Sequence, residues 1–280
     1  MYSGVQHHLI QRLAETPLRT HPFPHLYAES IFPADYYAAL RRSWPDASRL
    51  VSIESTGRVT KGEYRERFVM PLTPENISAL RDETRRFWGD LAQWMLVSDR
   101  FFSAVMDKFE PFLRERFGGR LEEVGFSSEL LVVRDHTDYK LGPHTDAPRR
   151  VLSLLFYCPD DDAHSHLGTS IYTPIDPAFR CAGGPHHPHD KFLKYATMEY
   201  RPNTLFAFLK TDYSFHGVEP IRDAGVLRDL ILYDIHADAA GTQPQREAGK
   251  QPKTELEQQP DPASGGLGLR ILKNILRRPR

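Results

Sequence analysis

"SSELLVVRDHTDYKLGPHTDAPRRVLSLLFYCP", residues 127–159, marks the point where the apolar period of the chain changes from helical to two. Its two ends, "SSELLVVRD" and "RRVLSLLFYCP", are short, rich in β-branched and aromatic residues, and separated by Asp, Gly and Pro. Five further runs repeat the pattern: "TSIYTP", "KYATMEYR", "NTLFAFL", "SFHGVEPI" and "LRDLILYDI". Roughly seven or eight such strands predict an all-β unit, either a sandwich or a jelly-roll barrel.

Upstream, residues 1 to about 120 read mainly as helices. "FPADYYAALRRSWPD" carries Pro33 near a helix start, and "TPENISALRDETRRFWGDLAQWMLV" opens with Thr73 as a cap and Pro74 in the first turn. "DRFFSAVMDKFEPFLRERFGG" continues the helical period and stops at Gly118 and Gly119. "LVSIESTGRVTKGEYRERFVMPL" between the first two predicts an irregular hairpin. The expected organisation is a mainly β fold with a helical cap: a helical support over 1–125 and a catalytic double-stranded β-helix (jelly roll) over 126–237. A polar linker over 238–265 and a basic amphipathic segment over 266–280 complete it.

Within the opening stretch, His144 and Asp146 stand two apart at a predicted strand edge, so both point to one side. Alone, such a pair is as readily a loop making ordinary hydrogen bonds. A metal that must bind both O2 and a co-substrate needs few protein ligands, and two imidazoles with one carboxylate leave three positions open. The chain holds 13 histidines, but His216 is set apart by lying at the start of the predicted strand "SFHGVEPI". Arg228 opens the next strand, twelve residues on, where a guanidinium suits a bidentate grip on a carboxylate. A metal triad with a carboxylate anchor beside it points to a keto-acid co-substrate.

In order, "LGPHTD", "RVLSLLFYCP", "LGTSIY", "RPNTLFAF", "SFHGVEPI" and "LRDLILY" resemble the Fe(II)- and 2-oxoglutarate-dependent dioxygenases, in the branch similar to prolyl hydroxylases. The resemblance covers about residues 126–236. It implies that His144, Asp146 and His216 hold iron(II), and that Arg228 and Tyr157 hold the distal carboxylate of 2-oxoglutarate. Ser153 shares a strand face with Tyr157, in the co-substrate pocket. The resemblance further implies O2 as oxidant, hydroxylation of a C–H bond, and release of succinate and CO2. An intact Asp146 points to hydroxylation, since halogenating relatives carry Ala or Gly there. Arg228 argues against a close match to the collagen-type enzymes, which carry lysine at that position. Where relatives often have a tyrosine about ten residues before the first ligand, this chain has Arg134 and Asp135.

The expected substrate is a small metabolite, such as an amino acid, or a peptide residue, with Arg134, Tyr139 and Arg149 as candidate contacts and Arg65 and Arg67 as further cations. "CAGGPHHPHDKF", residues 181–192, reads as a flexible lid or insert near the active-site mouth. A cupin-like metal-dependent isomerase or hydrolase that needs no O2 is the competing reading. A silent scaffold recruited through its basic tail is a third.

Composition agrees with a globular protein: 40 % of residues are hydrophobic and 11 % aromatic, enough to fill a core. A formal charge of −1 gives no reason to expect nucleic acid. Only Cys158 and Cys181 occur, so a disulfide framework and a thiolate zinc site are both disfavoured, and a reducing compartment fits. Neither a signal-type apolar run nor a stretch of about 18 apolar residues is present, so a cytoplasmic location is expected and no transmembrane segment. Contact with a membrane surface or a protein would fall to 266–280.

Overall fold

A computed structural model describes residues 4–59, 62 and 64–238. The linker and basic tail expected beyond Asp238 lie outside the described residues.

Eight strands follow the change of period: β4 (Phe126–Asp135), β5 (Leu141–His144), β6 (Arg150–Tyr157), β7 (Thr169–Pro174), β8 (Phe192–Met198), β9 (Thr204–Leu209), β10 (His216–Val218) and β11 (Arg228–Ala237). Three shorter ones precede them: β1 (His25–Glu29), β2 (Val51–Ser52) and β3 (Arg67–Pro71). They form a major sheet ordered β1-β9-β6-β11-β4-β3-β2 and a minor sheet ordered β5-β10-β7-β8, every pairing antiparallel. From β4 onward the strands alternate between the sheets except at the β7–β8 hairpin within the minor sheet, which is the jelly-roll winding expected from the runs.

Alternation sorts the major sheet's side chains into two cores. Leu130, Val132, Leu154, Phe156, Ile231 and Tyr233 join the helices in one buried cluster. Leu131, Val133, Tyr157, Phe206, Phe208 and Leu230 meet Ile171 and Val218 of the minor sheet in another, inside the barrel. Helices cover only the outer face: α1 (Val5–Glu15), α2 (Ala34–Arg42), the short α3 (Pro74–Ser78), α4 (Asp82–Ala92) and α5 (Asp99–Arg116). In α1, Val5, Leu9 and Leu13 recur every four residues and are buried, and in α5 Phe101, Val105, Phe109 and Leu113 do the same. Thr73 caps α3 by accepting from Asn76 N at 3.3 Å. The chain leaves α5 through Gly118 and Gly119, at φ 61° and 79°, where side chains are disfavoured.

The expected hairpin over 50–72 forms from β2 and β3, and β3 pairs with β4, so it extends the sheet. Strand β1 lies in the region read as helical. It has five residues, and its hydrogen bonds go to the distant β9. One irregularity bears on the site. Along β6, Leu152 pairs with Ile235 but Arg150 pairs with His236, so Val151 is an extra residue. Among the described residues, no helix is long and apolar enough to cross a membrane.

Candidate metal centre

His144 ends β5 and His216 begins β10, directly opposite each other in the minor sheet. Their rings lie 4.4 Å apart between centroids, and Asp146 follows two residues after His144. One ligand atom from each of the three lies within 4.8 Å of the others, and all three residues are buried. Asp146 Oδ1 stands 3.9 Å from Nε2 of each histidine.

Hydrogen bonds around these atoms set their chemistry. His144 Nδ1 lies 3.0 Å from the carbonyl of Gly142, and His216 Nδ1 lies 3.0 Å from that of Ser214. A carbonyl only accepts, so each Nδ1 carries the proton and each Nε2 presents its lone pair to the centre. Burial lowers both imidazoles, His144 to about 3 with help from neighbouring His216, so both are neutral at ordinary pH. Burial alone would raise Asp146, but Arg150, with Nη1 at 3.2 Å, and the two imidazoles hold it well below the usual carboxylate range. Ser153 Oγ donates to Asp146 Oδ2 at 3.1 Å, which leaves Oδ1 turned to the histidines. Two neutral imidazole nitrogens and one ionised carboxylate suit a divalent first-row metal.

Inside the barrel, below the triad, lies a buried polar floor. His216 pairs with Ile171 of β7, and Thr169 is two residues further on the same face, roughly 6.6 Å deeper. Arg228 Nη2 donates to Thr169 Oγ1 at 3.3 Å, and the Tyr157 hydroxyl donates to the same oxygen at 2.8 Å. Arg228 Nη1 also reaches Asp135 Oδ2 at 2.7 Å, and its Nε donates to the Leu167 carbonyl at 2.6 Å. Asp135 is held from the other side by Arg67, whose Nε and Nη2 lie at 2.6 and 2.9 Å. Among the described residues the floor therefore sets two buried arginines against one carboxylate. Tyr139 packs on Arg67, with the guanidinium carbon 4.4 Å from the ring centroid, and its buried hydroxyl has no hydrogen-bond partner among the described residues.

The structure thus brings His144, Asp146 and His216 together, with Ser153 beside the Asp146 carboxylate and Arg228, Tyr157 and Tyr139 in the floor. Two expected substrate contacts are not brought to the centre. Arg134 lies on the helical face of β4, because its neighbour Asp135 takes the inner one. It pairs with Asp229 through Nε and Nη2 at 2.7 and 2.9 Å. Arg149 is exposed, as is Arg65, and the bulge at Val151 turns Arg150 inward instead. The 181–192 loop does lie against the ligands: His187 N donates to the Pro143 carbonyl at 2.8 Å, and the His186 ring is 4.9 Å from that of His144. A Cβ on Gly183 would fall 2.3 Å from the Asp146 carbonyl, so this close approach requires glycine.

Sequence reasoning missed Arg150, since regular alternation from Ser153 would turn it outward, and nothing local announces a bulge. It also missed Thr169, and a second group of close polar atoms from Glu129, Asp234 and His236.

No protein-family model and no curated protein matches the chain. Solved structures do. A prolyl 4-hydroxylase from Phytophthora capsici aligns at TM-score 0.51 and 11 % identity over 88 % of this chain and 69 % of that one. A prolyl-4-hydroxylase from Pseudomonas putida gives TM-score 0.45 and 15 % identity over 82 % and 98 %. HygX from Streptomyces hygroscopicus, solved with nickel and 2-oxoglutarate, gives 0.41 and 11 % over 76 % and 82 %. The first of these likenesses shows a shared fold: the chain is a double-stranded β-helix of the kind found in that prolyl 4-hydroxylase.

Proposed function

We propose that this protein is an Fe(II)- and 2-oxoglutarate-dependent dioxygenase that hydroxylates a C–H bond of a small metabolite or a peptide residue. The observation that carries the reading is one arrangement: an open two-histidine, one-carboxylate triad sits above a buried floor holding one more cation than anion. A five-carbon dicarboxylate spans about 5 Å between its terminal carbons. That length suits the roughly 6.6 Å drop from the His216 level to Thr169.

Iron(II) bound at the triad would supply a centre where O2 oxidatively decarboxylates 2-oxoglutarate to succinate and CO2 while the substrate C–H bond gains one oxygen atom. The chain's own residues do the rest. His144 and His216 offer lone pairs that need no deprotonation, and Ser153 fixes the Asp146 carboxylate. Arg228, with Tyr157 and Thr169 around it, offers the distal carboxylate a dry, positively charged seat. Asp146 fills the position that a halide would take, which favours hydroxylation.

The test is succinate formation by iron-loaded protein given 2-oxoglutarate and O2 across a broad substrate panel. Turnover that disappears in Arg228→Ala is expected; no turnover together with no 2-oxoglutarate binding would overturn the reading. The cupin-like alternative gains support from one observation, that Arg228 already has a partner for Nε, Nη1 and Nη2. It requires activity without O2 and indifference to Arg228→Ala.

A further inference from the structure

Beside the triad, on the inner face of the major sheet, lies a second polar group that metal binding does not use. Asp234 of β11 pairs across the sheet with both Ser153 and Glu129. Ser153 is the residue that holds Asp146, so the group adjoins the metal centre. Glu129, Asp234 and His236 bring one ligand-type atom each within 4.8 Å of the others. Arg58 bonds to Glu129, and Arg150 bridges Asp146 and Asp234, with Nη2 3.0 Å from Asp234 Oδ2. Arg58, Glu129 and Arg150 are partly exposed at the rim, whereas Asp234 is fully buried at the base.

The base is short of donors. Among the described residues neither Asp234 oxygen has a hydrogen-bond partner, and its ion pair is with Arg150. His236 Nε2 lies 3.2 Å from Glu129 Oε1, and a carboxylate only accepts, so Nε2 carries the proton. His236 Nδ1 is likewise buried and without a partner among the described residues. Buried acceptors left unfilled are costly, so this group calls for a ligand rich in N–H.

A second metal ion answers that call poorly. Arg58 and the His236 N–H already occupy Glu129, and Arg150 sits on Asp234, so a metal would have to displace these groups to gather its ligands. We propose that this group is the substrate subsite, and that the substrate carries a protonated amine held by Asp234 and His236, as in a free amino acid or an amine-bearing metabolite. Arg58 and Arg150 at the rim suit the carboxylate of a zwitterion. The inference rests on the dioxygenase reading, because it takes the neighbouring triad as the site of reaction.

Free amino acids and their N-acetyl derivatives, supplied with iron-loaded protein, 2-oxoglutarate and O2, separate the outcomes by succinate formation. At least one free amine should stimulate succinate formation, and its N-acetyl counterpart should not. Asp234→Asn should raise KM for that amine by roughly tenfold or more, while 2-oxoglutarate binding, recorded on the same variant, persists. Equal stimulation by acetylated compounds, or by none of the free amines, would overturn the proposal while leaving the dioxygenase reading in place. A second equivalent of bound metal that is lost in Asp234→Asn would overturn it too. Absence of 2-oxoglutarate binding by the wild type would instead sink the underlying reading.

Discussion

Arg228 and Asp135 face each other across β11 and β4, with Nη1 and Oδ2 2.7 Å apart and neither residue exposed. Arg67 closes on the same carboxylate from β3. Asp135→Asn leaves two buried guanidinium groups without a counter-charge, so stability should fall by about 3–5 kcal/mol. A dicarboxylate restores the missing charge, and 2-oxoglutarate should raise the urea midpoint of the variant more than that of the wild type. An equal rise in both would mean that the floor is not where the dicarboxylate sits.

Ser153→Ala removes the one hydroxyl bonded to Asp146 Oδ2 and leaves the three ligands in place. Metal should still bind, with affinity lowered roughly 10–100-fold as for other residues that orient a ligand. Titration with Co(II), read by absorbance, gives the number. Unchanged affinity would place Ser153 among merely structural groups.

Metal affinity should be nearly independent of pH over a range where exposed histidines lose their metal. An ordinary imidazole takes a proton as pH falls through about 6.5 and then competes with the metal. Burial lowers His144 to about 3 and lowers His216 as well, so their neutral forms persist to lower pH. As pH falls from about 8, the loss of affinity should therefore begin below about 6.5. A tenfold loss per unit beginning near 6.5 would contradict the burial argument.

Arg134→Ala should alter stability and spare the reaction. The side chain lies on the helical face, bonded to Asp229, which α2 also engages through Arg41 Nη1 at 3.1 Å. A loss of about 1–3 kcal/mol is expected from a partly buried charged pair. The KM for 2-oxoglutarate should not move, and a large increase would mean that Arg134 reaches the barrel interior.

The barrel was legible because a period of two runs through seven of its eight strands, and Ser153, Leu155 and Tyr157 share a parity that the observed register preserves. His144 and His216 could be singled out because they stand at strand ends, where pairing fixes their direction, and Asp146 follows His144 by two residues. Arg150 was lost to a single extra residue, which reverses every parity argument on its far side. Strand β1 was lost because its partner β9 lies far along the chain, and no local pattern carries such a pairing. Asp135 was visible only as a departure; its role needs Arg67, delivered by a hairpin whose register the sequence does not specify.

Calorimetric titration of 2-oxoglutarate into Ni(II)-loaded protein, repeated without metal and with Arg228→Ala, tests the joint use of triad and floor most directly. One equivalent should bind to the loaded wild type. Affinity should fall sharply without the metal, and roughly 10–100-fold or more in the variant. Binding that is indifferent to both the metal and Arg228 would contradict a dioxygenase centre.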